Sequence, residues 1–213
     1  VAVSGTHGKT TTTAMLSYIM LEADVDPTIS VGGIIDDIGG NIRVGSSDYF
    51  VTEACEYTNS FHAFSPYISI ILNVDADHLD FFSGIEEIAE SFHTFATKTP
   101  ENGKVIVNGD MKYFDTVTRD LKCQVITFGE DPKNHYSAAN IRFDEFGRPT
   151  YTLVIDGENI TDITLHVFGK HNVYNSLSAI AAATELGIDI DATKAGLLHC
   201  KGAERRFEYK GTI

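Results

Sequence analysis

Basic residues are scarce in this chain: 16 Lys and Arg stand against 30 Asp and Glu, a formal net charge of −14. A nucleic-acid surface needs a basic patch or stripe, so the balance argues against that class of partner. The acids are scattered rather than run together, which reads as solubility and not as an acidic tail. Cysteine is also sparse. Cys55, Cys123 and Cys200 are an odd number, far apart and without C-x-x-C spacing. That count predicts reduced thiols in a cytosolic protein and no structural zinc. No apolar run approaches membrane length, and no signal peptide is present, so no membrane partner is expected. No internal repeat or low-complexity tract occurs. The sequence lacks a starting Met and opens directly on an apolar strand, so it is expected to be a piece of a longer protein.

What is present is an ordinary globular composition, 43% apolar over 213 residues, enough for one large domain or two small ones. The most informative run is Val1 to Thr11, Val-Ala-Val-Ser-Gly-Thr-His-Gly-Lys-Thr-Thr. It is an apolar strand, a glycine loop, and then Lys9 and Thr10 at the start of a helix. Gly5 and Gly8 let backbone N–H groups turn toward an anion, and the helix N-terminus adds its positive dipole end. Lys9 would reach the outer phosphates and the Thr10 hydroxyl would hold Mg²⁺. The full phosphate-loop pattern has a glycine where this chain has Val3, so this is a shorter G-x-x-G-K-T-T form.

Strand and helix patterns then alternate. Strands are expected at Val1–Ser4, Tyr49–Glu53, Ile68–Val74, Lys104–Val107 and Gln124–Phe128. Helices are expected at Lys9–Ala23, Ile85–Thr97 and Met111–Leu121, with loops and short strands between Pro27 and Gly45. This order predicts an α/β fold, a doubly wound and mostly parallel sheet flanked by helices. From about Asn134 to Phe168 the pattern changes to short β segments, Ile141–Phe143, Tyr151–Ile155 and Ile163–Val167, separated by turn signals. These predict a small antiparallel sheet beside the parallel one. An Ala-rich helix, Asn172–Leu186, ends at Gly187, and a shorter helix follows at Asp191–Leu198.

In open α/β sheets ligands bind beyond the carboxyl ends of the strands. Glu53 ends one strand, where it is either a Mg²⁺ ligand or a solvated acid. His78 lies in Asp75-Ala76-Asp77-His78-Leu79-Asp80. On its own it reads as a structural hydrogen bonder, since Mg²⁺ prefers oxygen, and Asp77 and Asp80 could equally cap the helix before Ile85. His7, inside the loop, could touch a second substrate. Asn172 could cap the late helix or bond a base edge, and spacing favours the cap. Arg205 and Arg206 could clamp a phosphate or carboxylate, or be a solvated pair.

Taken together, Gly5-Thr6-His7-Gly8-Lys9-Thr10-Thr11, Glu53-Ala54-Cys55-Glu56-Tyr57, Asn73 to Asp80, Gly169-Lys170-His171-Asn172-Val173-Tyr174-Asn175 and Arg205-Arg206-Phe207-Glu208 resemble the Mur ligases, over essentially the whole chain. The resemblance implies the family's central ATP-binding domain at residues 1–206, with 207–213 starting a hinge to a further domain. It implies a bacterial cytoplasmic, ATP-dependent amide ligase of peptidoglycan precursor synthesis, with ATP and two Mg²⁺ ions. The Thr-His in the loop and the Glu-Ala-Cys-Glu-Tyr run favour the member that joins L-alanine to UDP-N-acetylmuramate through an acyl phosphate. A sister ligase acting on muropeptides or adding a later amino acid is the alternative, as is an ATP-binding module inactive by itself. A phosphate-loop GTPase fits less well, because no Asn-Lys-x-Asp motif occurs.

By the same resemblance, Lys9, Glu53 and His78 are catalytic. Gly5, Thr6, His7, Gly8, Lys9, Thr10, Thr11, Asn172, Asn175 and Arg206 bind ATP. Thr10 and Glu53 hold the first Mg²⁺, and His78 a second. One departure stands out: several relatives carry a carbamylated lysine in the helix after the Asp-His motif, where this chain has Phe92-His93-Thr94. That leaves the coordination of the second metal open.

Overall fold

The computed structural model describes residues 1–202. Strand β1 (Ala2–Ser4) leads into helix α1 (Lys9–Glu22). Next come β2 (Thr28–Ile35), β3 (Gly40–Arg43), β4 (Phe50–Glu53) and β5 (Ile68–Ile71). Helix α2 (Ile85–Ala96), β6 (Lys104–Asn108), the short α3 (Phe114–Thr118) and β7 (Gln124–Gly129) follow. The chain then forms β8 (Tyr136–Phe143), β9 (Pro149–Ile155), β10 (Glu158–Thr164), α4 (Lys170–Glu185) and α5 (Ile190–His199).

All the strands join one sheet in the order β10-β9-β8-β7-β6-β5-β1-β4-β2-β3. Pairing is parallel from β2 through β4, β1, β5, β6 and β7 to β8, and antiparallel at the two ends. The expected small antiparallel part is β8, β9 and β10, joined to the edge of the parallel sheet. The seam is the pairing of Phe128 with Tyr136 and Gly129 with Ser137.

Strand periodicity sorts the core into two layers. Val3, Ile70, Ile106 and Ile126 face the layer of α1, α4 and α5, while Ala2, Ile71, Val105 and Val107 face α2 and α3. In the second layer Phe61 stacks on Phe95 with ring centroids 4.8 Å apart and meets Phe92 edge-on at 5.2 Å. Helix α1 is buried nearly all round, including Thr12, Thr13 and Ser17, because α4 and α5 enclose it on the sheet. Its approach to α5 is tight: a Cβ on Gly196 would lie 2.5 Å from Ile19 Cα. Only a residue without a side chain lets the two backbones come that close.

Several elements differ from the sequence expectation. Pro27 to Gly45 holds a full eight-residue strand, β2, whose alternation Gly32 and Gly33 conceal. The helix expected over Met111–Leu121 shrinks to Phe114–Thr118, since Arg119 is extended and Asp120 has a positive φ of 54°. Strand β10 begins earlier than expected, at Glu158, directly after Asp156 and Gly157, both at positive φ. That pair makes the tight hairpin turn.

Candidate active site

β1 lies between β4 and β5, and the sheet order reverses there. Such a reversal opens a crevice at the carboxyl ends of the strands. The loop after β1 needs its glycines. Gly5 has φ +138°, and a Cβ there would lie 2.8 Å from Leu72 Cβ. Gly8 has φ +90°, and its Cβ would come 2.7 Å from Asn175 Oδ1. The loop is zipped to the segment after β5. Thr6 N–H donates to the Asn73 carbonyl at 3.2 Å, and Asp75 N–H donates to Thr6 Oγ1 at 2.9 Å. Asn73 holds the His7 backbone from both sides. The first-turn N–H groups of α1, which have no intrahelical partners, open on the crevice.

The charged groups gather beside this loop. Thr10 Oγ1 donates to Glu53 Oε2 at 3.3 Å, and Gly32 N–H donates to Glu53 Oε1 at 2.5 Å. Lys9 Nζ folds back on its own loop, donating to the Gly5 carbonyl at 2.6 Å and to Glu56 Oε2 at 2.9 Å. Glu56 is buried. His78, with a positive φ of 52°, brings Nε2 to 3.8 Å from Glu56 Oε1. The Tyr57 ring lies against His78 at 4.6 Å, and its hydroxyl donates to Asp80 at 3.0 Å. That bond raises the Tyr57 pKa above the ordinary tyrosine value. Neither Asp77 nor Asp80 caps α2, whose N-cap is Gly84; Asp77 instead accepts from the His78 N–H at 2.7 Å.

A cavity of about 590 Å³ adjoins these groups, within the usual range for small-molecule sites. Residues 6–11 form one wall, with the exposed His7 among them, and Phe168, Gly169, His171, Asn172 and Asn175 form the other. Asn172 does not cap α4. Gly169 is the N-cap, and Asn172 Nδ2 donates to the Phe168 carbonyl at 2.8 Å. Asn175 Nδ2 donates in turn to Asn172 Oδ1 at 2.8 Å. The two amides are thus locked as a pair at the cavity wall.

The family model for the Mur ligase middle domain matches residues 3–183. The chain belongs to the Mur ligase family. It is 57% identical, over 212 residues, to the UDP-N-acetylmuramate–L-alanine ligase of Lachnospira eligens; the match covers 99% of this chain and 46% of that protein. Among solved structures, the UDP-N-acetylmuramate-alanine ligase of Thermotoga maritima superposes with a TM-score of 0.87 at 28% identity, covering all of this chain and 47% of that one. The UDP-N-acetylmuramate:L-alanyl-γ-D-glutamyl-meso-diaminopimelate ligase of Neisseria meningitides gives 0.86 at 27% identity, covering 96% and 67%. This Mur ligase chain therefore spans about half the length of the curated relatives it matches.

The donor set of this Mur ligase domain suits Mg²⁺. Thr10 and Glu53 offer hydroxyl and carboxylate oxygen within hydrogen-bond reach of each other, at the mouth of a cradle that a Cβ on Gly8 would fill. Among the described residues no three His, Cys, Asp or Glu side chains cluster as a metal site. That fits a cation held by one or two protein groups together with substrate phosphates. In α2, Phe92 is buried and His93 Nδ1 meets the Val117 carbonyl. Arg205, Arg206 and the 206/207 boundary lie outside the described residues. The residue that sequence reasoning passed over is Glu56. Its only signal was a second Glu three positions after Glu53, and burial gives it weight.

Proposed function

We propose that this chain is the ATP-binding part of a ligase that joins L-alanine to UDP-N-acetylmuramate, in the cytoplasm of a bacterium. The observation that carries the reading is the cavity between the phosphate loop and the start of α4, with Lys9, Thr10 and Glu53 at its edge. The relatives' names support the choice of substrates, and neither nucleic acid nor a membrane takes part in the reaction.

A carboxylate is a poor electrophile. Phosphoryl transfer from ATP to the muramoyl carboxylate supplies a leaving group, which the alanine amine then displaces through a tetrahedral intermediate, releasing phosphate. In this chain, backbone N–H groups of residues 8–11 would cradle the phosphates. Lys9 would leave its loop carbonyls and Glu56 to neutralise the charge that builds on the outer phosphates. Thr10 and Glu53 would hold the first Mg²⁺ and His78 a second. Bound there, the cations would offset phosphate charge and align the transferred group. Asn172 and Asn175 would hold the adenine edge, Arg206 would reach ATP from beyond the described residues, and His7, at the cavity mouth, would face the acceptor. The division at residue 206 into an ATP domain and a hinge belongs to the same proposal.

Phosphate release by the full-length protein tests this, with ATP, Mg²⁺ and UDP-N-acetylmuramate and a panel of amino acids. Release that depends on both the sugar nucleotide and L-alanine is expected. A requirement for a peptide in place of alanine would favour the sister activity that the Neisseria structure represents. Since the chain spans about half of its relatives, the 213-residue piece alone is expected to bind ATP without ligating.

A further inference from the structure

Glu56 is 1% exposed, and both of its carboxylate oxygens accept from Lys9 Nζ, at 2.9 and 3.2 Å. Lys9 also donates to the Gly5 and Thr6 carbonyls, at 2.6 and 3.3 Å. An ammonium has three N–H donors, and here all are spent on protein. To reach a phosphate, Lys9 must give up some of these partners, and the charged one is Glu56. A buried carboxylate stripped of its cation is costly, by several kcal/mol. Another positive charge must therefore replace Lys9 as the phosphates arrive.

The place for that charge lies beside the same carboxylate, where His78 Nε2 stands 3.8 Å from Glu56 Oε1. An imidazole alone is a weak site for Mg²⁺, which needs oxygen ligands. Asp77 Oδ2 also lies 4.0 Å from His78 Nε2, but that side chain is 46% exposed and already accepts from the His78 N–H. Glu56, buried and shared between Lys9 and His78, offers the oxygen that an imidazole site lacks. We propose that Glu56 is a counter-ion switch: it neutralises Lys9 while Lys9 lies on its own loop and, when phosphates draw Lys9 away, turns its charge to the divalent cation beside His78. This rests on the ATP-ligase reading and makes Glu56 a positioning residue for Lys9 as well as a cation ligand.

The test uses the full-length protein and the variant E56Q, which keeps the shape and removes the charge. Two quantities are read: ADP affinity by calorimetry in EDTA, and Mn²⁺ binding by electron paramagnetic resonance in the complex with a non-hydrolysable ATP analogue. The expected result is metal-free ADP binding several-fold tighter in E56Q, because Lys9 is no longer held. Together with that, the second Mn²⁺ binds about tenfold or more weakly while the first is unchanged. Absence of either shift overturns the proposal, since a purely structural salt bridge would move neither in this pattern. A wild-type complex that takes a single Mn²⁺ also overturns it. Should E56Q fail to fold, E56D shortens the carboxylate and must still weaken the second Mn²⁺ selectively. Wild-type protein that binds no ADP would instead sink the ATP reading itself.

Discussion

Asn73 grips the backbone of His7 with both halves of its amide: Oδ1 accepts from the His7 N–H at 2.7 Å, and Nδ2 donates to the His7 carbonyl at 2.9 Å. A side chain from the β5 loop thereby stands in for a strand partner and fixes the middle of the phosphate loop. N73A removes both bonds, each worth about 1 kcal/mol, and is expected to weaken ATP binding roughly tenfold. N73D keeps the acceptor but loses the donor and sets a negative charge beside the phosphates, so it should bind more weakly still. Calorimetric titration gives the order, and N73D binding as well as N73A would refute this account.

Gly32 serves Glu53 by having no side chain. A Cβ there would come 3.0 Å from Oε2 and 3.1 Å from Oε1 of Glu53, whose carboxylate accepts from the Gly32 N–H. G32A should displace the carboxylate with little change in melting temperature. The expected loss is about 10- to 100-fold in Mg²⁺-dependent nucleotide affinity, the scale of disturbing a ligand's support. An unchanged Mg²⁺ dependence would show that Glu53 does not need this seat.

Thr13 carries a fully buried hydroxyl without a hydrogen-bond partner among the described residues. Valine has the same shape without the polar atom. T13V is expected to raise stability by about 1 kcal/mol, because a desolvated, unsatisfied group is removed. Urea unfolding checks this, and a clear destabilisation would mean the hydroxyl has a partner in solution.

Alkali should loosen the fold at two buried groups. Burial pushes the Cys200 thiol from 9.0 up to about 12, and burial also raises Tyr151, whose hydroxyl pairs with Ser176 Oγ at 2.6 Å. Both keep their protons in the folded state at pH values where the unfolded chain gives them up. The Cys200 contribution is complete below pH 9 and is lost as pH rises from 9 toward 12, and that of Tyr151 begins to fall only above pH 10. Unfolding midpoints across that window should fall for the wild type and fall less steeply for C200A. Parallel curves would remove Cys200 from the explanation.

Much of this architecture was legible in the residues because its signals are contiguous. The loop from Gly5 to Thr11, the acid at the end of β4 and the Asp-His run after β5 each follow an apolar strand, and a parallel sheet brings such ends together. What escaped was whatever depends on contacts distant in sequence. Gly32 and Gly33 masked β2, whose partner β4 decides its state. Asn172 looked like a cap, and a carbonyl at Phe168 claimed its amide. Glu56 stood within the Glu53–Tyr57 run without a role of its own, and the fold buries it against Lys9 and His78.

The position of β1 also bears on how the domain is made. Ala2 pairs with Thr52 on one side and Ser69 on the other, so β1 leaves the ribosome well before either of its neighbours. Until β5 has emerged, the phosphate loop has no Asn73 to hold it and the apolar strand before it has no cover. Parallel pairings across such separations form late and leave the nascent chain open to misassociation. Nucleotide in the cell could therefore act as a ligand that rewards completion, binding only once both flanking strands are in place.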